Sequence, residues 1–160
     1  MNVVFTYSKK LLEVFDDEGK LVASAPANSY VRNELNGERK IGVAGEVEYT
    51  VTQDGKVGRP YMPRPAPVGE WLIVGKQITT NKWMQPVKFL TNVHQFVNVW
   101  ETGPQGYVKE TTEVTDDWGY HIHFNNGSVH SDGCVTTLLG LIQWLDNNIV
   151  KFPIAYSIRA

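Results

Sequence analysis

Cysteine is almost missing from this chain of 160 residues: Cys134 is the only one. A single thiol excludes an intramolecular disulfide framework and a cysteine-based zinc site. Charge of one sign is missing too. Fifteen Lys and Arg face 17 Asp and Glu, a net charge of −2, which excludes the broad basic footprint of a nucleic-acid module. No apolar run approaches the ~18 residues that span a bilayer, so no membrane insertion is expected. The start, Met1-Asn2-Val3-Val4-Phe5-Thr6-Tyr7, lacks the basic region, long apolar region and small-residue cleavage site of a secretory signal. Synthesis in the cytoplasm is the expectation. Internal repeats and low-complexity blocks are absent from the sequence.

What is present suffices for a core: 42% of residues are hydrophobic and 11% aromatic, as expected of one domain spanning residues 1–160. Most of the chain reads as strands rich in β-branched and aromatic residues. Leu11–Phe15 and Leu21–Ala23 flank Asp16-Asp17-Glu18-Gly19-Lys20, a hairpin signal with Gly in the turn. Val47–Val51, Trp71–Ile78, Phe96–Trp100, Tyr107–Val114, Tyr120–Phe124 and Ile154–Ile158 are further strand candidates. Gly55 to Pro67, with Gly58, Pro60, Pro63, Pro65 and Pro67, reads as a connector inside one domain. One segment differs. Across Thr136–Val150 the residues Leu138, Leu141, Ile142, Leu145 and Ile149 form an amphipathic helical stripe, closed by Pro153. The expectation is a mainly β domain with one principal helix that starts just after Cys134.

The chemistry-bearing stretch surrounds that cysteine. His121, His123 and His130 lie within fourteen residues of it. A cysteine nucleophile needs a thiolate and a neighbouring base. A helix beginning at Cys134 would favour the thiolate through its unpaired N–H groups and positive dipole end. Gly133 permits a sharp turn and close approach of a carbonyl substrate, and backbone N–H groups there suit an oxyanion hole. His121 and His123, two apart on a strand, share one face, with Ile122 on the other. Other readings stand beside this one. A lone cysteine also reads as a small buried hydrophobe, and His121, His123 and His130 as a His-only metal site. The carboxylates nearest to those histidines, Asp116, Asp117 and Asp132, show no recognised ligand spacing. Trp83 and Trp118 sit beside loop signals and suit a glycan surface, whereas Trp71 and Trp144 suit core packing. Arg32, Arg39, Lys40, Arg59 and Arg64 fall in expected loops, as solvated surface or as anion contacts.

At Ile122-His123, Asn125-Asn126-Gly127 and Ser131-Asp132-Gly133-Cys134-Val135 the sequence resembles the L,D-transpeptidase (YkuD-type) catalytic domain, above all its shorter phage and effector relatives. Pro67-Val68-Gly69-Glu70-Trp71-Leu72-Ile73 is similar to the family's strand entry, and Leu12–Asp16 with Gly19–Val22 to its N-terminal hairpin. The resemblance implies an L,D-transpeptidase-like β-sandwich and acyl transfer on peptidoglycan stem peptides, without metal or cofactor. It implies Cys134 as nucleophile, His123 as base, Gly133 shaping the oxyanion turn and Ser131 supporting the loop. His121, Asp132, Asn126 and Trp118 are the expected substrate-side residues. Two departures stand out. Larger relatives carry His where Asp132 stands, and Arg shortly after the cysteine, where this chain has Val135-Thr136-Thr137. With no leader, a phage lysis protein or an effector sent to the cell wall by dedicated export is expected. The rivals are a non-catalytic wall-binding or virion structural domain and a cysteine peptidase acting on proteins.

Overall fold

A computed structural model describes residues 1–29, 47–51, 57–58, 65–82, 84–102, 108–118, 120–125 and 134–160. For residues 47–51, 57–58, 92–102 and 108–118 it gives strand path and register.

The strands are β1 (Asn2–Thr6), β2 (Leu11–Phe15), β3 (Leu21–Asn28), β4 (Val47–Val51), β5 (Val57–Gly58), β6 (Gly69–Ile78), β7 (Val87–Thr102), β8 (Val108–Trp118), β9 (Ile122–Phe124), β10 (Val135–Thr137) and β11 (Ile154–Arg159), with one helix described, α1 (Leu139–Asn148). The expected hairpin forms between β2 and β3. Asp16 Oδ1 accepts the backbone N–H groups of Glu18 and Lys20, and Gly19 takes φ of 79°, which L side chains resist. Val3-Val4-Phe5 in β1 is apolar without alternation because all three are buried. That strand lies between β2, antiparallel, and β11, parallel, so both ends of the chain share one sheet.

The ladder runs β7-β6-β11-β1-β2-β3-β10-β9 and returns to β7, closing eight strands into a barrel. Mainly β with one helix is therefore what forms, but the pairing is a closed ring where two face-packed sheets were expected. The ring closes through two three-residue strands, β9 and β10. Val135-Thr136-Thr137 was expected inside the helix; these β-branched residues instead pair with Asn28 and Ala27 of β3 and with Ile122–Phe124 of β9. The Thr136 and Thr137 hydroxyls donate to the carbonyls of Asn28 and Pro26, fastening β10 to β3. Beyond Asn92, β7 leaves the ring to pair with β8 and, at Val97–Glu101, with β4.

Inside the ring lie Phe5, Leu12, Val14, Ile73, Phe89, Ile122 and Val135. The helix packs against β3, β7 and β9, and its stripe Leu141, Ile142, Leu145 and Ile149 joins the same core. Among the described residues of the connector expected at 55–67, Val57–Gly58 form β5, hydrogen-bonded to β4. The connector's end is held: Ala66 N–H donates to Ser29 Oγ and Ala66 O accepts from the Tyr7 hydroxyl at 2.6 Å. No helix among the described residues is long and apolar enough to cross a membrane.

Candidate active site

Cys134 is partly exposed and stands immediately before β10, not at a helix terminus. The helix starts five residues later, at Leu139, and Leu138 offers no side-chain cap. Dipole effects fade within one helical turn, so the expected support of a thiolate by α1 is not in place. A strand partner places Cys134 instead. Val135 N–H donates to His121 O at 2.9 Å, and the parallel register continues Val135 with Ile122 and Thr136 with His123. Cys134 and His121 therefore lie side by side at the entrances of two paired strands. With strands ~4.8 Å apart and ~3.3 Å per residue, the Cα atoms of Cys134 and His123 sit on a diagonal of roughly 8 Å, within reach of a ring.

The histidines are neither interchangeable nor charged. His123 is 1% exposed, and its Nδ1 lies 2.7 Å from Phe124 O. A carbonyl only accepts, so Nδ1 carries the proton and Nε2 the lone pair. That Nε2 is buried and has no partner among the described residues. Burial lowers the pKa of His123; the Phe124 carbonyl opposes the shift and Lys88 adds to it. A neutral ring with a free, buried lone pair is the state a general base requires. His121 is set the other way. Its Nδ1 accepts the N–H of Thr91 at 3.4 Å, which leaves Nε2 as the protonated atom. Burial first, then Lys88 and His123, lower its pKa to about 4. His121 is thus a neutral donor at Nε2.

The entry to β6 braces this corner. Gly69 has φ of 145°, outside the range of other residues, and lets the chain turn so that Trp71 Nε1–H donates to Pro67 O. This gives the Pro-x-Gly-x-Trp pattern its physical reason. Trp71 then meets Tyr120 edge-on, with ring centroids 5.5 Å apart. Thr91 Oγ1 donates to Tyr120 O, locking the residue before His121 to β7.

Three tyrosines gather at this corner that the sequence reading did not select. Tyr7 donates to Ala66 O, and burial, partly offset by Ser29, pushes its hydroxyl up to about 12. Burial holds the Tyr156 hydroxyl well above the ordinary phenol range, and charge on Tyr7 and Cys134 adds to that shift, as charge on Tyr120 adds to the shift of Tyr7. They come from segments far apart in the chain, so no motif marks them; the inward parity of Tyr156 in Ile154–Ile158 was the one available signal.

Of the expected site residues, the structure brings Cys134, His121 and His123 together. Gly133, Ser131, Asp132 and Asn126 lie outside the described residues, as do His130, Trp83 and the five loop cations Arg32, Arg39, Lys40, Arg59 and Arg64. Trp118 closes β8 opposite Asn92 in the backbone ladder. Trp71 is buried and Trp144 partly buried against the core. Among the described residues no three His, Cys, Asp or Glu side chains are grouped to hold a metal. A cavity of about 300 Å3 lies beside β9 and β10, lined by Phe124, Asn125, Thr136, Leu138, Asn28 and Lys10 among others. The chain matches no family model, no curated protein and no solved structure.

Proposed function

We propose that this chain is an L,D-transpeptidase-like enzyme of cysteine-dependent acyl transfer on peptidoglycan stem peptides. One observation carries the reading: the buried, unpartnered Nε2 of His123, held as a lone pair by its Nδ1–H bond to Phe124, on the strand beside the one that Cys134 leads into. In this mechanism the Cys134 thiol passes its proton to His123 Nε2 and sulfur attacks a stem-peptide carbonyl, that of a diamino acid. The C–N bond breaks, the departing D-amino acid or peptide amine takes the proton from His123, and a thioester remains on Cys134. An amine or water then accepts the acyl group. Cross-linking and hydrolysis, of carboxypeptidase or endopeptidase type, are two fates of that thioester. The resemblance assigns Gly133 to the turn around the developing oxyanion, Ser131 to loop support, and His121, Asp132, Asn126 and Trp118 to the substrate side. The setting is the bacterial cell wall, reached by phage-driven release or dedicated export.

The test is incubation of purified peptidoglycan with the wild type and with the Cys134→Ala and His123→Ala variants, read by mass spectrometry of the soluble fragments. New stem-peptide products from the wild type alone are expected; an unchanged fragment pattern removes the enzyme reading. Asp132, and Val135-Thr136-Thr137 in place of an Arg, favour the second reading of a non-catalytic wall-binding or virion structural domain. That reading predicts co-sedimentation with insoluble peptidoglycan and no new products.

A further inference from the structure

The cavity of about 300 Å3 opens where β9 and β10 end and β2 begins, and the mouth of a barrel is a common place for a ligand. Part of its wall is apolar, from Pro26, Phe124 and Leu138. Leu138 belongs to the helical stripe by spacing, yet it is 54% exposed and faces this opening. The polar groups are few and fixed. The Thr136 and Thr137 hydroxyls donate to the carbonyls of Asn28 and Pro26, which leaves their lone pairs as acceptors. Asn28 Oδ1 accepts the Ser29 N–H, so the amide group is set with its Nδ2 donors uncommitted among the described residues.

Lys10 is the one charged residue among those described on the lining. Lys9 beside it pairs with Glu13, whereas Lys10 has no ion pair among the described residues. Its φ of 49° lies in the left-handed region, which suits Gly or Asn better than a long side chain. The turn needs that backbone, because Lys10 N–H donates to Tyr7 O and Lys10 O accepts the Ala27 N–H. It does not need a lysine there.

We propose that this cavity binds the carboxylate end of a short peptide with small apolar side chains. Lys10 and Asn28 donate to the carboxylate, and the Thr136 and Thr137 hydroxyls accept a peptide N–H. The occupant rests on the reading of the chain as a stem-peptide enzyme, whose leaving group is a D-amino acid or peptide with a free carboxylate; Lys10 then selects that group. The path from the sulfur is short. Thr136 lies two residues beyond Cys134 on the same face, roughly 7 Å at ~3.3 Å per residue, a span that a leaving group of one or two residues covers.

The experiment is titration of the 15N-labelled chain with N-acetyl-D-alanyl-D-alanine, its C-terminal amide and octanoate, read at the backbone amides of Thr136, Thr137 and Leu138. Saturable shifts with the peptide acid are expected in the wild type. Lys10→Gly keeps the backbone hydrogen bonds and removes the strained side chain, so its melting temperature should hold or rise while the peptide dissociation constant increases roughly tenfold or more. Lys10→Arg restores binding, and the peptide amide binds the wild type as weakly as the acid binds Lys10→Gly. No shift at those three amides, equal binding of acid and amide, an unchanged constant in Lys10→Gly, or tighter binding of octanoate than of the peptide overturns the proposal. Failure of the enzyme reading is seen separately, as unchanged peptidoglycan fragments from a wild type that still binds the peptide here.

Discussion

His123 and His121 differ by two positions and have opposite assignments, because each ring is fixed by the backbone group at its Nδ1. The Phe124 carbonyl leaves one with a lone pair at Nε2 and the Thr91 amide leaves the other with an N–H there. The resemblance singled out His123, but the reason lies in hydrogen bonds that no spacing reveals. Both rings are held neutral by burial, which has a consequence for stability. A histidine whose folded pKa lies below its unfolded value of 6.5 takes up protons more readily in the unfolded chain. Its contribution is therefore complete above about pH 6.5 and is lost as pH falls, for His121 through about 4. We expect the melting temperature to decline across that interval, and His121→Gln to flatten the decline. Calorimetry between pH 7 and 4.5 reads this above most carboxylate titration. A flat wild-type profile contradicts the neutral, buried assignment.

At the scale of elements, the hairpin, β6, β11 and the helix were legible in the sequence. In each of them the local pattern and the final burial agree: Leu12 and Val14 alternate inward in β2, and Leu141, Ile142 and Leu145 form the buried face of α1. Legibility failed where tertiary pairing decides. β1 hides because both its faces are covered, and β10 hides because its three residues extend a helical stripe while their hydrogen bonds go to β3 and β9. The first half of β7 mixes Lys, Leu and Thr with two core residues, Val87 and Phe89, and becomes a strand through β6 and β9. The stripe itself makes a clean comparison. Leu145 is 0% exposed and Leu138 is 54% exposed. Leu145→Ala is expected to cost about 3 kcal/mol and Leu138→Ala under about 0.5 kcal/mol, measured by urea unfolding. Equal losses would show that α1 is not docked by this face.

Across the whole molecule, the site depends on a ring that closes. His123 sits on β9, whose edges are shared with β7 and β10, and Cys134 on the approach to β10, held by β3. Neither position belongs to an independent hairpin, so Cys134 and His123 meet only when the barrel forms. Joint order in the sequence suggested the pair, while closure rests on β9, which falls in the expected Tyr120–Phe124 strand, and on β10, which carries no local strand signal. The last strand, β11, completes the ring between β1 and β6. Removing residues 154–160 should therefore abolish cooperative thermal unfolding, as circular dichroism would show; a truncated chain with an unchanged melt contradicts a closed barrel. The central claim concerns the sulfur. Mixing the protein with soluble muropeptides, quenching in acid and weighing the intact chain tests it most directly. The account predicts an acyl adduct that maps to Cys134 and is absent from Cys134→Ala; no adduct on the wild type, or the same adduct on the variant, contradicts it.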